Sequence, residues 1–454
     1  MSNNLPAAPS AVVFLLCISL GSPALAQDDG NSEGSYFDEI TVSAQKREQN
    51  IYEVPVAVSA FTGDNLAQQG IADIVDIGKF VPNLNITQFS AGHTSSSNPF
   101  IRGIGIQDHL ITTDPGVSVY VDGVYLGRQV GQNWNLTNIE RIEVLRGPQG
   151  TLYGRNSIGG AINIITKEPG SDPGAKVAME IGSRERLNAD FYADTMLGDN
   201  VALSVTGGFK HRDGLGDFIN LPNAGVRVGE MQDVFGRVAL RLEPSDDFWA
   251  TIVVDSNDGK GGLRPYTSII TPGGFLDGLG AVAPDRYDNA TTQADQVRVS
   301  NKAHGLSITA NYDINSELST KVIASTRKSE YKSGLDDDAM AVNALTFPEV
   351  GEADQTSVEL QLNGDYGDWD FVSGLYYFTE DGHNYQQDYY FLGGPFDFYI
   401  EQEVTSTGIF GNVGYNVNDQ LRIAGGLRFS NDEKDAGADI AFGLFPRNRD
   451  WDEV

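Results

Sequence analysis

At 454 residues the chain exceeds one ordinary domain and should hold two or more. With 62 Asp and Glu against 31 Lys and Arg, its formal net charge is −31, so there is no basic surplus for phosphates and nucleic-acid binding is disfavoured. A lone cysteine, Cys17, provides neither a disulfide nor a thiolate metal site, and 52 glycines point to a turn-rich chain poor in helix formers.

Ala11 to Leu20 is an apolar run of signal-peptide length, and Ala24-Leu25-Ala26 follows as a small-residue cleavage site. Residues 1–26 are therefore expected to be a signal peptide, although Met1 to Ser10 carries no Lys or Arg. The run is too short to cross a bilayer as a helix, and Leu16 before Cys17 argues against a lipoprotein. Residues 27–50 read as a disordered leader, acidic and without packing residues from Gln27 to Asp38. Within it, Glu39, Ile40, Thr41, Val42, Ser43 and Ala44 form a short β-prone island. Such an island can offer a strand edge to a partner sheet, or it can be the first strand of the globular domain.

Residues 51–168 read as a small α+β domain of four or five strands with short helices. Val54 to Phe61 opens it as a strand, Asp64 is placed to cap a short helix, and Ile71, Ile74, Val75, Ile77 and Phe80 space a second helix stopped by Pro82. Asn83 to Ile86 is extended, Ser90 to Pro99 is loop-like, and Phe100-Ile101-Arg102-Gly103 begins a strand. Val117 to Val121 alternates, turns at Asp122-Gly123 and returns as Val124-Tyr125-Leu126, a strong hairpin signal. Ile142, Val144, Leu145 and Arg146 form a strand broken by Gly147-Pro148, and Ala161 to Ile165 forms another.

Leu145-Arg146-Gly147-Pro148, Leu152-Tyr153-Gly154 and Gly159-Gly160-Ala161-Ile162-Asn163-Ile164 stand in one register that resembles the plug domain of TonB-dependent outer-membrane receptors. Ile101-Arg102-Gly103 and Tyr120-Val121-Asp122-Gly123-Val124-Tyr125 are similar to the same pattern. The resemblance implies that residues 39–44 are the TonB box, pulled on by periplasmic TonB. It also implies that Arg102 and Arg146 meet acidic residues on the inner barrel wall; pairing inside the plug, with Glu140 or Glu143, is the alternative. The implied activity is active transport across the outer membrane, with a ferric siderophore as the commonest cargo and cobalamin, other metal chelates or oligosaccharides as others.

From residue 169 helical periodicity ends, and segments of about ten alternating residues recur between Gly/Asp/Asn-rich breaks. Val177, Met179 and Ile181 alternate with Lys176, Ala178 and Glu180; Val358, Leu360 and Leu362 face away from Glu359 and Gln361; Leu421, Ile423, Leu427 and Phe429 oppose Arg422 and Arg428. A soluble β-sandwich alternates too, but arginines on the polar face and aromatics such as Trp369, Tyr376, Tyr377 and Phe378 near strand ends favour an antiparallel transmembrane β-barrel in contact with lipid. Asp255 to Gly280 and Asp336 to Asp354 read as extracellular loops. Roughly a dozen strands fit in residues 169–454, against about 22 in a plugged transporter, so the chain is expected to be an incomplete, N-terminal part of a receptor with about half its barrel.

Catalytic and metal-binding spacings are not found. The five histidines are scattered, Gly103-Ile104-Gly105 lacks the rest of a dinucleotide loop, and Asp255-Ser256-Asn257-Asp258-Gly259 places glycine one position early for a calcium loop. No enzyme activity and no cofactor are expected; the rival readings are a passive porin or adhesin, which needs neither plug nor TonB box, and a secreted β-rich carbohydrate-active enzyme, which would be soluble with two placed carboxylates.

Overall fold

The computed structural model describes residues 41–71, 73–88, 96–132, 137–221, 224–263, 272–278, 288, 297–336, 345–391, 395–418, 420–440 and 449–453. The signal peptide, most of the leader, Glu39, Ile40 and most of the Ser90–Pro99 loop lie outside the described residues.

Strand β1 (Thr41–Val42) folds back on β2 (Gln49–Asn50). β3 (Ala57–Thr62) leads into α1 (Gly63–Gln68), whose cap is the Thr62 hydroxyl, accepting from the Asn65 N–H at 3.3 Å. Asp64, the expected cap, lies two residues further on, inside the first turn, where its charge suits the positive end of the helix. α2 spans only Ile74–Ile77; Gly78, Lys79 and Phe80 then donate three residues back, so tight turns replace the longer helix expected. The apolar spacing still serves burial, because Ile71, Ile74, Ile77 and Val81 all enter the core.

β4 (Leu84–Thr87) pairs with β5 (Asn98–Ile101). β6 (Val117–Val121) and β7 (Val124–Tyr125) are joined by Asp122 and Gly123 at φ 49° and 83°, both positive as a two-residue hairpin demands. β8 (Ile139–Arg146), an unanticipated single-turn α3 (Gly150–Tyr153) and β9 (Gly160–Thr166) complete the domain. The sheet order is β3-β8-β9-β6-β7, with β6 and β9 parallel. Gly160 is required by proximity: a Cβ there would fall 2.1 Å from the Leu145 carbonyl oxygen. Ile142, Val144, Ile162, Val119 and Ile164 fill this domain's own core with α1 and α2.

The rest is one twelve-stranded antiparallel meander in chain order. Its strands are β10 (Gly174–Gly182), β11 (Arg186–Gly198), β12 (Val201–Arg212), β13 (Met231–Ser245), β14 (Phe248–Gly262) and β15 (Arg298–Asn315), then β16 (Leu318–Asp336), β17 (Leu345–Asp365), β18 (Trp369–Phe391), β19 (Pro395–Asn418), β20 (Leu421–Ile440) and β21 (Arg449–Glu453). Several strands are twice the expected length. Asp255–Gly262 continues β14 and 345–354 opens β17, so these parts of the expected loops are strand, while 264–271 and 337–344 lie outside the described residues. Only about 9–11 residues are needed to cross the lipid, and beyond it the ladder continues with a polar composition.

The burial of this sheet is inverted. Val358, Leu360 and Leu362 are exposed at 41%, 42% and 37%, whereas Glu359 and Gln361 between them are at 5% and 4%. Leu427 and Phe429 are exposed at 85% and 66%. Such an apolar outer face belongs in hydrocarbon, and the polar inner face is covered by the α+β domain. No helix among the described residues is long and apolar enough to cross a membrane. Trp369 and Tyr377 face outward as expected of a girdle; Phe378 does not, being buried with its ring 5.6 Å from Tyr125 of the small domain. Hairpins at 199–200, 246–247, 316–317 and 366–368 are short, and they mark the end that faces the periplasm in outer-membrane barrels.

Candidate functional site

Small domain and sheet belong to one compact unit, and their interface carries the polar chemistry of the molecule. Residues 41–50 are part of it. They were expected to be disordered, but Val42 and Ala44 are fully buried while Thr41 is exposed. The Ser43 N–H and hydroxyl donate to Glu143 at 2.7 and 3.1 Å, and the Tyr153 hydroxyl donates to the Ala44 carbonyl at 3.1 Å. Lys46 pairs with Glu359 and Arg47 with Asp370, both carboxylates on the wall. Burial lowers the Lys46 pKa despite the pull of Glu359. In the sequence the visible signal was Lys46-Arg47, two cations closing an acidic leader.

Further along the interface, Arg128 pairs with Glu380, and the Gly127 N–H donates to Gln355, whose amide donates to the Tyr125 carbonyl at 2.7 Å. Asp114 takes Arg155 at 3.1 Å and Lys434 of β20; burial would raise its pKa, and these cations lower it instead. Arg237 of β13 reaches Asp122 at 2.5 Å, and Arg241 reaches Glu168 at 3.2 Å. Near the opposite end, His109 sits 3.1 Å from Glu349, which also accepts from Tyr331, Asn384 and Gln386. Burial opposes protonation of His109, but the Glu349 carboxylate outweighs it and raises the pKa.

The two arginines singled out from the sequence are placed differently. Arg102 is exposed in a turn at φ 53°, and the Arg146 guanidinium reaches the Pro82 carbonyl at 3.5 Å. Among the described residues neither forms an ion pair, with the wall or with the plug alternatives; Glu140 and Glu143 are taken by Arg141. Wall carboxylates are met instead by Lys46, Arg47, His109 and Arg128. Sequence spacing had no way to select these, because each pair joins residues more than 200 positions apart.

Charge-assisted bonds of this kind hold two surfaces together and can be exchanged for bonds to water when the surfaces part. A polar-faced stopper seated against an apolar-backed, lipid-facing sheet defines a plugged outer-membrane β-barrel. Comparison with known proteins agrees. Residues 50–161 match the family described as the TonB-dependent Receptor Plug Domain. The pesticin receptor of Yersinia enterocolitica is 25% identical over 425 residues, 90% of this chain and 58% of that protein. The vitamin B12 transporter BtuB of Vibrio vulnificus is 28% identical over 273 residues, 58% of this chain and 42% of that protein. The ferric yersiniabactin uptake receptor FyuA from Yersinia pestis superposes with a TM-score of 0.70 at 21% identity, covering 88% of this chain and 60% of that one. Residues 50–161 are thus a TonB-dependent receptor plug domain, followed by an antiparallel sheet of the outer-membrane barrel type, and the chain spans about 58% of the length of the pesticin receptors it matches.

Proposed function

We propose that the receptor to which this chain belongs imports a ferric siderophore by active transport, with TonB binding residues 39–44. The observation that carries the reading is the seating of the second half of that site together with the residues that follow it. Thr41 is exposed, whereas Val42 to Arg47 is fastened to both plug and wall, so tension applied at 39–44 would act directly on contacts to Glu143, Glu359 and Asp370. A ferric siderophore is supported by the likeness to a ferric yersiniabactin receptor, and cobalamin is the second reading because of the likeness to BtuB. A passive porin or adhesin accounts for neither the plug nor its fastened tether. On the same reading, Arg102 and Arg146 await acidic partners on strands of the complete barrel, and transport rather than catalysis is the activity.

The test is deletion of residues 39–44 from the complete receptor in iron-limited cells. Uptake of radioactive ferric siderophore should fall to the level of cells lacking the receptor, with surface binding of the siderophore retained. Uptake that continues undiminished would overturn active transport.

A further inference from the structure

A cavity of about 440 Å³ lies between the plug and the inner face of β13 to β17, near the short-turn end of the sheet. That volume falls within the roughly 300–1,000 Å³ of small-molecule sites. Trp249, Asn311, Lys321 and Gln361 are direct cross-strand neighbours, so they form one row on the face that buries Gln361. Thr251 and Thr309, two residues along, form the next row on that face. The Asp122-Gly123 turn and residues 164–169 wall the cavity from the plug, and Ser43, Lys46 and Arg47 wall it from the tether.

Its charges are unevenly satisfied. Six of the lining cations hold a carboxylate, as Lys46 holds Glu359, Arg237 holds Asp122 and Arg241 holds Glu168. Lys321 holds none among the described residues. The contact described for its ammonium is the Trp249 ring, 5.8 Å away, which Arg241 also covers at 4.3 Å. A cation entering here would meet Lys321, Arg237 and Arg241 together. An anion would find an ammonium that no carboxylate touches, with Asp122, Glu168, Glu359 and Glu48 acting on it only at longer range, and with the Thr251 and Thr309 hydroxyls lining the same cavity, inside a chain whose net charge is −31.

We propose that this cavity is a binding site for a small organic anion carrying a carboxylate or phenolate, with the Lys321 ammonium as its anchor. Its place as the last station of an anionic cargo before the periplasm rests on the transport reading; the binding itself does not.

Labelled salicylate is the probe, measured by equilibrium dialysis against the complete receptor purified in detergent. Saturable binding is expected, weakened about tenfold or more by Lys321→Gln and retained by Lys321→Arg. Thr309→Asp, which sets a carboxylate beside the ammonium, should abolish binding independently of whether Lys321→Gln assembles. Absence of saturable binding, or equal binding by the parent, Lys321→Gln and Thr309→Asp, overturns the site. Either result leaves the uptake experiment on residues 39–44 unaffected, so the two readings fail separately.

Discussion

Replacing Glu359 by Leu tests whether charge fastens the tether. Lys46 and Glu359 have side chains only 12% and 6% exposed, and the Lys46 ammonium lies 4.9 Å from the Phe410 ring centre and 5.7 Å from that of Tyr153. Burial already lowers the lysine's pKa, and Arg428 and Lys321 push it the same way, so Glu359 is its chief counter-charge. Removing one partner of a buried pair costs about 3–5 kcal/mol, because the remaining charge stays desolvated without compensation. At the lower figure the ratio of seated to released tether falls by about two powers of ten. Hydrogen exchange in the complete receptor reads this directly. The Lys46 amide, bonded to the Ser43 carbonyl at 2.9 Å, should exchange faster by that factor while β8 amides remain protected. In Lys46→Met/Glu359→Leu both charges are gone and packing remains, so protection should return to the parental level or exceed it. Unchanged exchange in the single variant, or a double variant as open as the single, would refute the argument.

His109 makes the plug apex pH-dependent. Its pKa is raised above the usual histidine value, so the stabilisation it contributes is complete below about pH 6.5 and is lost as pH rises through the raised pKa. The Ile111 amide, which donates to Asn384 beside Glu349, should therefore lose exchange protection in that window, and His109→Gln should remove the pH dependence. Leu427→Arg places a charge on a side chain 85% exposed on the outer face, which costs about 2–4 kcal/mol if it lies at mid-membrane. Heat-modifiable mobility on gels should show reduced barrel assembly, whereas Leu427→Phe should assemble normally.

The plug was legible wherever local chemistry fixes the backbone. Asp122-Gly123 announced its hairpin because few residue pairs accept two consecutive positive φ angles, and Gly147-Pro148 announced the end of β8. The sheet was legible from period two, and the inversion of burial followed from arginines sharing a face with glutamates. Strand length was not legible, since a ladder outlasts the alternation once lipid no longer dictates it. The short extent of α2 was hidden as well: Ile71 to Val81 has helical spacing, yet the same residues reach the core through a single helical turn and successive tight turns. The interface partners were the least accessible. Arg102 and Arg146 stood out by motif, but Lys46, Arg128 and His109 find carboxylates only once a meander brings Glu359, Glu380 and Glu349 to one inner face.

Tyr153 shows why the 145–164 stretch is so constrained. Its carbonyl accepts the Tyr120 hydroxyl at 2.7 Å, its own hydroxyl accepts the Asn163 amide at 2.6 Å, and that hydroxyl donates to Ala44 of the tether. Burial pushes the phenol's pKa up, so it remains a neutral donor. Around it, Val42, Ala44, Leu145 and Leu152 pack with Val372, Phe378 and Phe410 of the wall into one apolar cluster. Tether, plug and wall thus share a single buried centre, while the plug's own core lies apart on the other side of its sheet. Withdrawing residues 42–47 would leave a void against Tyr153 and strip Glu359 of its ion-pair partner, while Glu143 keeps Arg141, Asp370 keeps Arg422, and Ile142, Val144 and Ile162 stay packed. The fold therefore separates what can be loosened from what keeps the plug folded, and a stopper that must yield and reseat requires that division.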